Sequence, residues 1–373
     1  MLKSSLVEAG DSKLFKSNTM EPKYSKNKTP PPSLQENQLF KKLTHQFKRS
    51  PNQINQLLEG DSELLQLEDG SVLAITVDNI VEEIETGLYK DPYLIGWMTV
   101  MVNISDISAV GAKPIGILLS QQFPKDFPEK EMQEIQKGIE DACRECGTFV
   151  LGGDTNQSDY MQSGGVAVGK IDDGKVITRK GCKLGDILFT SGKMGQGSAF
   201  AFERLLKTEN ASVPFQPKSN LKKGEIIRRF GSCCMDSSDG FFAAVCNLMS
   251  INEKGFKLDT SLQNIIHSDA LRVTQKNNLP PWIFLAGPHG EFELIFTIPP
   301  NHLEDFLEKA KTISWQPLKI GKVLGEQKFI LPIEEEVIEI DPFTIANLFT
   351  ECESNVELYL GELLKLHQTW QLK

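Results

Sequence analysis

The sequence predicts an α/β protein (α+β in detail) built as two domains, and three observations carry this. Short β-branched runs bounded by glycine or aspartate alternate with longer stretches that are apolar at helical spacing. A chain of 373 residues is long enough for two domains. The turn-rich stretch after Ile171 separates one such alternation from a second, which opens with Arg179-Lys-Gly-Cys-Lys-Leu-Gly-Asp186. The expected organisation is a disordered basic leader over 1–33, a first domain over 34–175 and a second over 176–373.

Each element follows from local pattern. The leader is rich in Lys, Ser, Asn and Pro and ends in a proline run, a composition that buries too little to fold. From Gln35 to Phe47, the residues Leu39, Phe40, Leu43 and Phe47 fall at helical spacing. Gly60-Asp61-Ser62 reads as a turn, and Ser71–Ile80 as a strand carrying Asp78. Trp97–Pro114, WMTVMVNISDISAVGAKP, reads as a buried helix closed by Gly111 and Pro114. Glu129–Cys146 is a second helix, with Met132, Ile135, Ile139, Ala142 and Cys146 on one stripe. Thr148–Leu151 is a short strand running into Gly152-Gly153-Asp154. Gly164–Ile171 is another strand, followed by a hairpin-type turn at Asp172-Asp-Gly174.

In the second half Ile187–Thr190 is a strand, and the glycine-rich Ser191–Ser198 turn opens a helix to Leu206. Met235-Asp-Ser-Ser-Asp-Gly240 precedes an apolar helix, Phe241–Met249, and Phe292–Ile298 and Leu318–Leu324 are further strands. No repeat of solenoid period is present.

Composition bounds the function. No apolar run reaches membrane-spanning length, and the N-terminus lacks the apolar core of a secretory signal. Seven cysteines, an odd number scattered through apolar segments, suit a reducing cytoplasm. The net charge of -10 conceals ten bases against four acids in residues 1–50, leaving 30 bases against 46 acids in the body. An acidic body argues against nucleic acid as a partner and leaves phosphate chemistry dependent on metal ions.

The chemistry-bearing residues are mainly aspartates. Asn103 and Asp106 stand three apart, on one face of the apolar helix, where a carboxylate needs a cation beside it. Asp61, Asp78, Asp154, Asp236 and Asp239 each lie at an element end or beside glycine. Carboxylates gathered from separate loops are how proteins hold Mg²⁺ against phosphates, although each alone also suits a cap or turn. Ser237 or Ser238 is placed to cap the helix after Gly240, and Ser198 to act at the next glycine turn. No GxxxxGK[ST] or GxGxxG is present. Cys143-x-x-Cys146 has no partner pair at zinc spacing and reads as core. Among five histidines only His289 falls in a turn near these groups, equally a loop residue or a substrate contact.

Taken in order, GDS, TVD, NISD, GGD, TRKG, LGD, DSSDG and GEFEL make the chain resemble the thiamine-monophosphate kinase family, within the AIR-synthase-like (PurM-like) superfamily, over about residues 36–325. The resemblance implies a PurM-like two-domain fold, with the N-terminal sheet pairing across a homodimer and ATP with several Mg²⁺ between the domains. It implies metal ligation by Asp61, Thr76, Asp78, Asp106, Asp154, Asp236 and Asp239, with Asp106, Asp154 and Asp239 closest to the chemistry. It also implies ATP contacts by Gly153, Arg179 and Ser238. The reaction implied is transfer of the γ-phosphoryl group to thiamine monophosphate. Its alternatives are another small-molecule acceptor or a nucleotide-binding paralogue without transfer.

The chain departs from the family pattern at Ser62, where the family has a second acid. It departs again at Glu82-Glu83-Ile84-Glu85-Thr86, where the family has EGVHF, and at Gly287–Leu294, where it has GGEDYEL. Glu85, His289 and Glu291 are the substrate contacts expected from those two segments.

Overall fold

The computed structural model describes residues 33–206, 211–333 and 336–371, and residues 32–373 form one compact unit. The leader apart from Ser33 lies outside the described residues. Two sheets organise the unit. The first runs β1 (Glu63–Gln66), β2 (Val72–Asn79), β5 (Gln162–Ile171), β3 (Lys113–Phe123), β4 (Val150–Gln157), antiparallel except between β3 and β4. The second has seven strands: β6 (Ile187–Thr190), β7 (Cys233–Asp236), β8 (Gly255–Leu258), β9 (Leu294–Ile298), β10 (Leu318–Leu324), β11 (Phe329–Ile333) and β12 (Glu336–Ile340). Their spatial order is β12-β11-β8-β10-β6-β9-β7.

Helix α1 (Gln35–Thr44) leads, followed by the short α2 (Val81–Glu85). The centre of the molecule is α3 (Pro92–Ala109). It is apolar around its whole circumference because it is packed on every side: against α4 (Glu129–Cys146), against β2 and β5, and against α6 (Leu221–Phe230) and β7. It meets α4 backbone to backbone, since a Cβ on Gly96 would lie 1.9 Å from the Ile135 carbonyl oxygen and one on Gly138 2.1 Å from that of Tyr93. Asp91 caps α3 by accepting from the Tyr93 N–H, with Pro92 at its first position.

The remaining helices serve the second sheet: α5 (Gln196–Leu205), α7 (Gly240–Asn252), α8 (Leu262–Ile265), α9 (Ser268–Asn277), α10 (Ile283–Ala286), α11 (Leu303–Lys311), α12 (Pro342–Glu351) and α13 (Val356–Gln371).

Three expectations change. Trp97–Pro114 is not one helix, because α3 stops at Ala109, Gly111 takes φ 64°, and Lys113 opens the eleven-residue strand β3. The apolar signal of α3 runs without a break into KPIGILL, so only the glycine marks the change of period. The turn at Asp172–Gly174 makes no hairpin; the chain passes from β5 to β6 in the other sheet. Neither Ser237 nor Ser238 caps α7, which has Asp239 at its N-cap position and no side-chain cap bond. Cys143 and Cys146 are core residues, as read.

Candidate active site

Three elements bring carboxylates together. Asp61 comes from the turn before β1, Asp106 from α3 and Asp236 from the end of β7. One oxygen from each lies within 4.8 Å of the other two. The local geometry is set by hydroxyls. Thr76 Oγ1 donates to Asp106 Oδ2, Ser105 Oγ donates to Asp236 Oδ2 at 2.5 Å, and Ser238 Oγ donates to Asp236 Oδ1 at 3.3 Å. Arg179 donates from Nε and Nη2 to Asp61 Oδ1, at 3.1 and 2.7 Å. Asp61 Oδ2 is buried and has no partner, although the Asp61 side chain has no solvent exposure. Three converging carboxylates, one with a buried oxygen that no donor satisfies, fit the donor set of a hard cation such as Mg²⁺.

The electrostatics agree. Burial, then Asp236, Asp61 and Asp78, hold the Asp106 carboxyl well above the carboxylate range. Burial and then Asp61 push Asp236 up to about 7. Burial, then Glu36 on α1, push Asp239 up to about 7, and burial takes Asp78 up to about 6. Burial works against the charge on Arg179, but Asp61, with Asp106 and Asp236 behind it, outweighs that and keeps it firmly protonated. One guanidinium therefore faces a group of acids that outnumber it.

Asn103 plays a different part from the one its spacing suggested. Its Oδ1 accepts from the Asp78 N–H at 3.0 Å, and its Nδ2 donates to the carbonyls of Asp78 and Thr99 at 3.2 and 3.1 Å. It clamps the end of β2 onto α3 and so sets Asp78 relative to Asp106. Asn252 does the same for Arg179, donating to its carbonyl at 2.9 Å and accepting from the Gly181 N–H at 2.7 Å.

Asp154 and Gly153 lie apart from this cluster. Both are exposed on the edge strand β4, and Asp154 accepts from Asn156 Nδ2 at 2.6 Å. Gly153 pairs through Leu119 and Gly165 with Asp78, so the two ends share one row of the sheet, roughly 14 Å apart over three strand spacings.

The expected substrate residues divide. His289 is buried, with Nε2 2.7 Å from the Tyr89 hydroxyl, and burial takes its pKa down to about 4. It lines an apolar cavity of about 170 Å³ walled by Phe202, Phe284, Phe349 and Tyr359. Glu291 points away from that cavity, accepting from the Gly195 N–H at 2.6 Å beside the start of α5; burial pushes it up to about 8. Ser198 likewise donates to the His289 carbonyl at 2.9 Å. The start of α5 is thus already occupied by the chain's own groups.

Glu85 is exposed at the end of α2, and the cavity is lined instead by Glu82, Glu83 and Thr86. Sequence reasoning missed Ser105, Tyr89 and Glu83. Ser105 was legible in NISD, whereas Tyr89 carries no local signal, and the phase of one short helix decides which glutamate turns inward.

The loop Gly287–Gly290 separates the cavity from the acidic turn. A Cβ on Gly240 would lie 2.2 Å from the Gly287 oxygen, and one on Gly290 1.6 Å from the Ser237 oxygen. Only glycine permits the two to lie this close.

A family model described as "AIR synthase related protein, N-terminal domain" matches residues 59–171, which hold Asp61, Asp78, Asp106 and Asp154. The match covers the first sheet, α3 and α4, and two of the three clustered carboxylates, Asp61 and Asp106, lie within it. Among curated proteins it is similar to the thiamine-monophosphate kinase of Methanocaldococcus jannaschii, 28% identical over 73% of this chain and 88% of that one. It is also similar to that of Nitrosopumilus maritimus, 27% identical over 65% and 78%. Both of these relatives are thiamine-monophosphate kinases. Solved structures share the fold. A thiamine monophosphate kinase from Aquifex aeolicus superposes with TM-score 0.64 at 20% identity over 81% of this chain and 96% of that one. A structure described as AaThiL complexed with AMPPCP and TMP gives 0.66 at 21% over 82% and 95%. A HypE–HypF complex gives 0.67 at 17% over 81% and 98%, so the fold alone does not choose an activity.

Proposed function

We propose that this chain is a thiamine-phosphate kinase, transferring the γ-phosphoryl group of ATP directly to thiamine monophosphate in a Mg²⁺-dependent reaction. The observation that carries the reading is the convergence of Asp61, Asp106 and Asp236, with an orphaned oxygen among them, next to an apolar cavity. The curated kinases it resembles, and the solved relative complexed with AMPPCP and TMP, support the same assignment.

The chain's residues divide the work. Asp61, Asp106 and Asp236 would hold the metal, with Thr76, Asp78 and Asp239 as further ligands, and Asp154, apart from the cluster on β4, would contribute from the far side of the first sheet. A Mg²⁺ held there would supply positive charge to offset the negative charge of the phosphoryl groups. The family resemblance assigns Asp106, Asp154 and Asp239 to the transferred group and Gly153, Ser238 and Arg179 to the nucleotide; for Gly153 and Asp154, which lie apart from the cluster, the bound triphosphate would have to span to β4. Arg179 offsets the negative charge that the acids present to an incoming triphosphate. No general base is needed, because a phosphate monoester has a second pKa of about 6 and is already ionised. His289, buried and bonded to Tyr89, shapes the acceptor cavity rather than moving a proton. The segments 34–175 and 176–373 act as the two walls of the cleft.

A homodimer fits the outer face of the first sheet. Val77, Val166 and Leu118 form one cross-strand row there, with Val77 73% and Leu118 43% exposed, beside the exposed edge of β4. The test of the activity is purified protein with ATP and Mg²⁺, assayed for ADP and thiamine diphosphate against thiamine monophosphate and other phosphate monoesters. Formation of thiamine diphosphate supports the reading; ADP release with a different acceptor alone would overturn it.

A further inference from the structure

The cavity beside α2 is apolar along most of its wall and acidic at one end. Leu88, Phe202, Phe284, Phe349, Tyr359 and Leu363 supply the apolar part, and Glu82 and Glu83 the acidic end. Glu83 is partly buried, and among the described residues no Lys, Arg or His forms an ion pair with it. Burial, then the negative charges of Asp78 and Glu82, push its carboxyl up to about 6. A carboxylate facing an aromatic cavity, with only other acids near it, is unfavourable unless something cationic fills the space. Aromatic faces at 170 Å³ scale reinforce that preference, because a ring's negative face attracts a cation. The segment is also this chain's own: where the family pattern reads EGVHF, Glu83 stands in the glycine's place.

We infer that Glu83 reads a positive charge on the heterocycle of the acceptor, making the cavity selective for a cationic aromatic ring over a neutral ring of the same shape. The inference rests on the cavity being the acceptor site. Its position supports this, since Gly287, Pro288 and His289 line the cavity while the same loop packs on the Asp236–Gly240 turn. Thiamine monophosphate meets the requirement through its quaternary thiazolium nitrogen. Glu83 sits at the acidic end, where its field also reaches Tyr89, the partner of His289. The ring is thereby held between aromatic walls with its charge toward α2.

The experiment is calorimetric binding to the full chain with Mg²⁺ and a non-hydrolysable ATP analogue. Thiamine monophosphate is compared with its deaza isostere, in which carbon replaces the quaternary nitrogen and the ring is neutral. The parent protein should prefer the cation by about tenfold or more. Glu83→Gln should remove most of that preference by weakening the cation and not the isostere, while Glu134→Gln, an exposed charge on α4, keeps it. Melting temperatures confirm that each variant is folded. A preference that survives Glu83→Gln, equal binding of both ligands by the parent, or binding of neither overturns the inference. Thiamine diphosphate formation is measured in parallel. A parent that prefers the cation but forms no product sinks the kinase reading and leaves the charge reading standing; normal turnover with no charge preference does the reverse.

Discussion

Replacing Asp106 by asparagine should leave the metal-free protein about as stable as the parent and remove most of its response to Mg²⁺. In the metal-free protein burial, then Asp236, Asp61 and Asp78, favour the neutral Asp106 carboxyl, and the amide is a neutral group of the same shape. Thr76 Oγ1 can still donate to the amide oxygen. Stability without metal should therefore change by about 1 kcal/mol or less. With metal the balance differs. Mg²⁺ at a hundred times its Kd stabilises the parent by about 2.7 kcal/mol. For a unit of this size the unfolding entropy is roughly 0.7 kcal/mol/K, so that gain is a rise in Tm of about 4 °C. Losing one charged ligand costs several kcal/mol at an effective dielectric constant of ~20, hence about 10²-fold or more in affinity. At the same Mg²⁺ concentration the variant's Tm should not move measurably, and turnover should fall by orders of magnitude. Differential scanning fluorimetry across a Mg²⁺ titration reads the first effect and ADP release the second. A variant that keeps the 4 °C shift would refute Asp106 as a ligand, and one that unfolds without metal would refute the preference of that site for a neutral group.

The remaining predictions concern other parts of the site and the sheet face. Arg179→Met leaves Asp61 buried without its cation and should cost about 3–5 kcal/mol in urea unfolding; Mg²⁺ should recover part of it. Asp236 and Asp239 are raised from 3.8 to about 7, so between those values the folded metal-free protein binds more protons than the unfolded chain. Their contribution to stability is therefore fully present below about pH 4 and declines as pH rises toward 7. Saturating Mg²⁺ should flatten that part of the Tm profile, since the metal favours the ionised form. Leu118→Asp on the outer sheet face should shift the protein to monomer on size-exclusion chromatography with its Tm changed by only about a degree or two, because that side chain is outside the core.

How much was legible in the sequence depends on how local the cause is. The helix over Glu129–Cys146 and the strands over Ile187–Thr190 and Leu318–Leu324 occur at the positions their periodicity predicts. Their stripes and alternation are properties of neighbouring residues. Asp61, Asp106 and Asp236 could be singled out because carboxylates beside glycine or inside apolar runs are costly without a partner. Asp78, Asp239 and the protein's α/β class were equally open to that reasoning.

What only the tertiary structure decided is where side chains point once distant segments meet. Asn103 shares a face with Asp106, yet its amide is taken up by the backbone of Asp78, 25 residues earlier in the chain. Glu291, expected from its motif at the substrate, accepts from the Gly195 N–H, 96 residues earlier in the chain. Glu85 and Glu83 are chemically alike, and only the packing of a five-residue helix against the cavity wall turns one outward and the other in. The sequence by itself determined which charges would need company, because that follows from burial and composition. The fold decided which of them receive it from the chain, as Asp61 Oδ1 does from Arg179, and which do not, as Glu83 at the apolar cavity, because that depends on contacts between segments far apart in the chain.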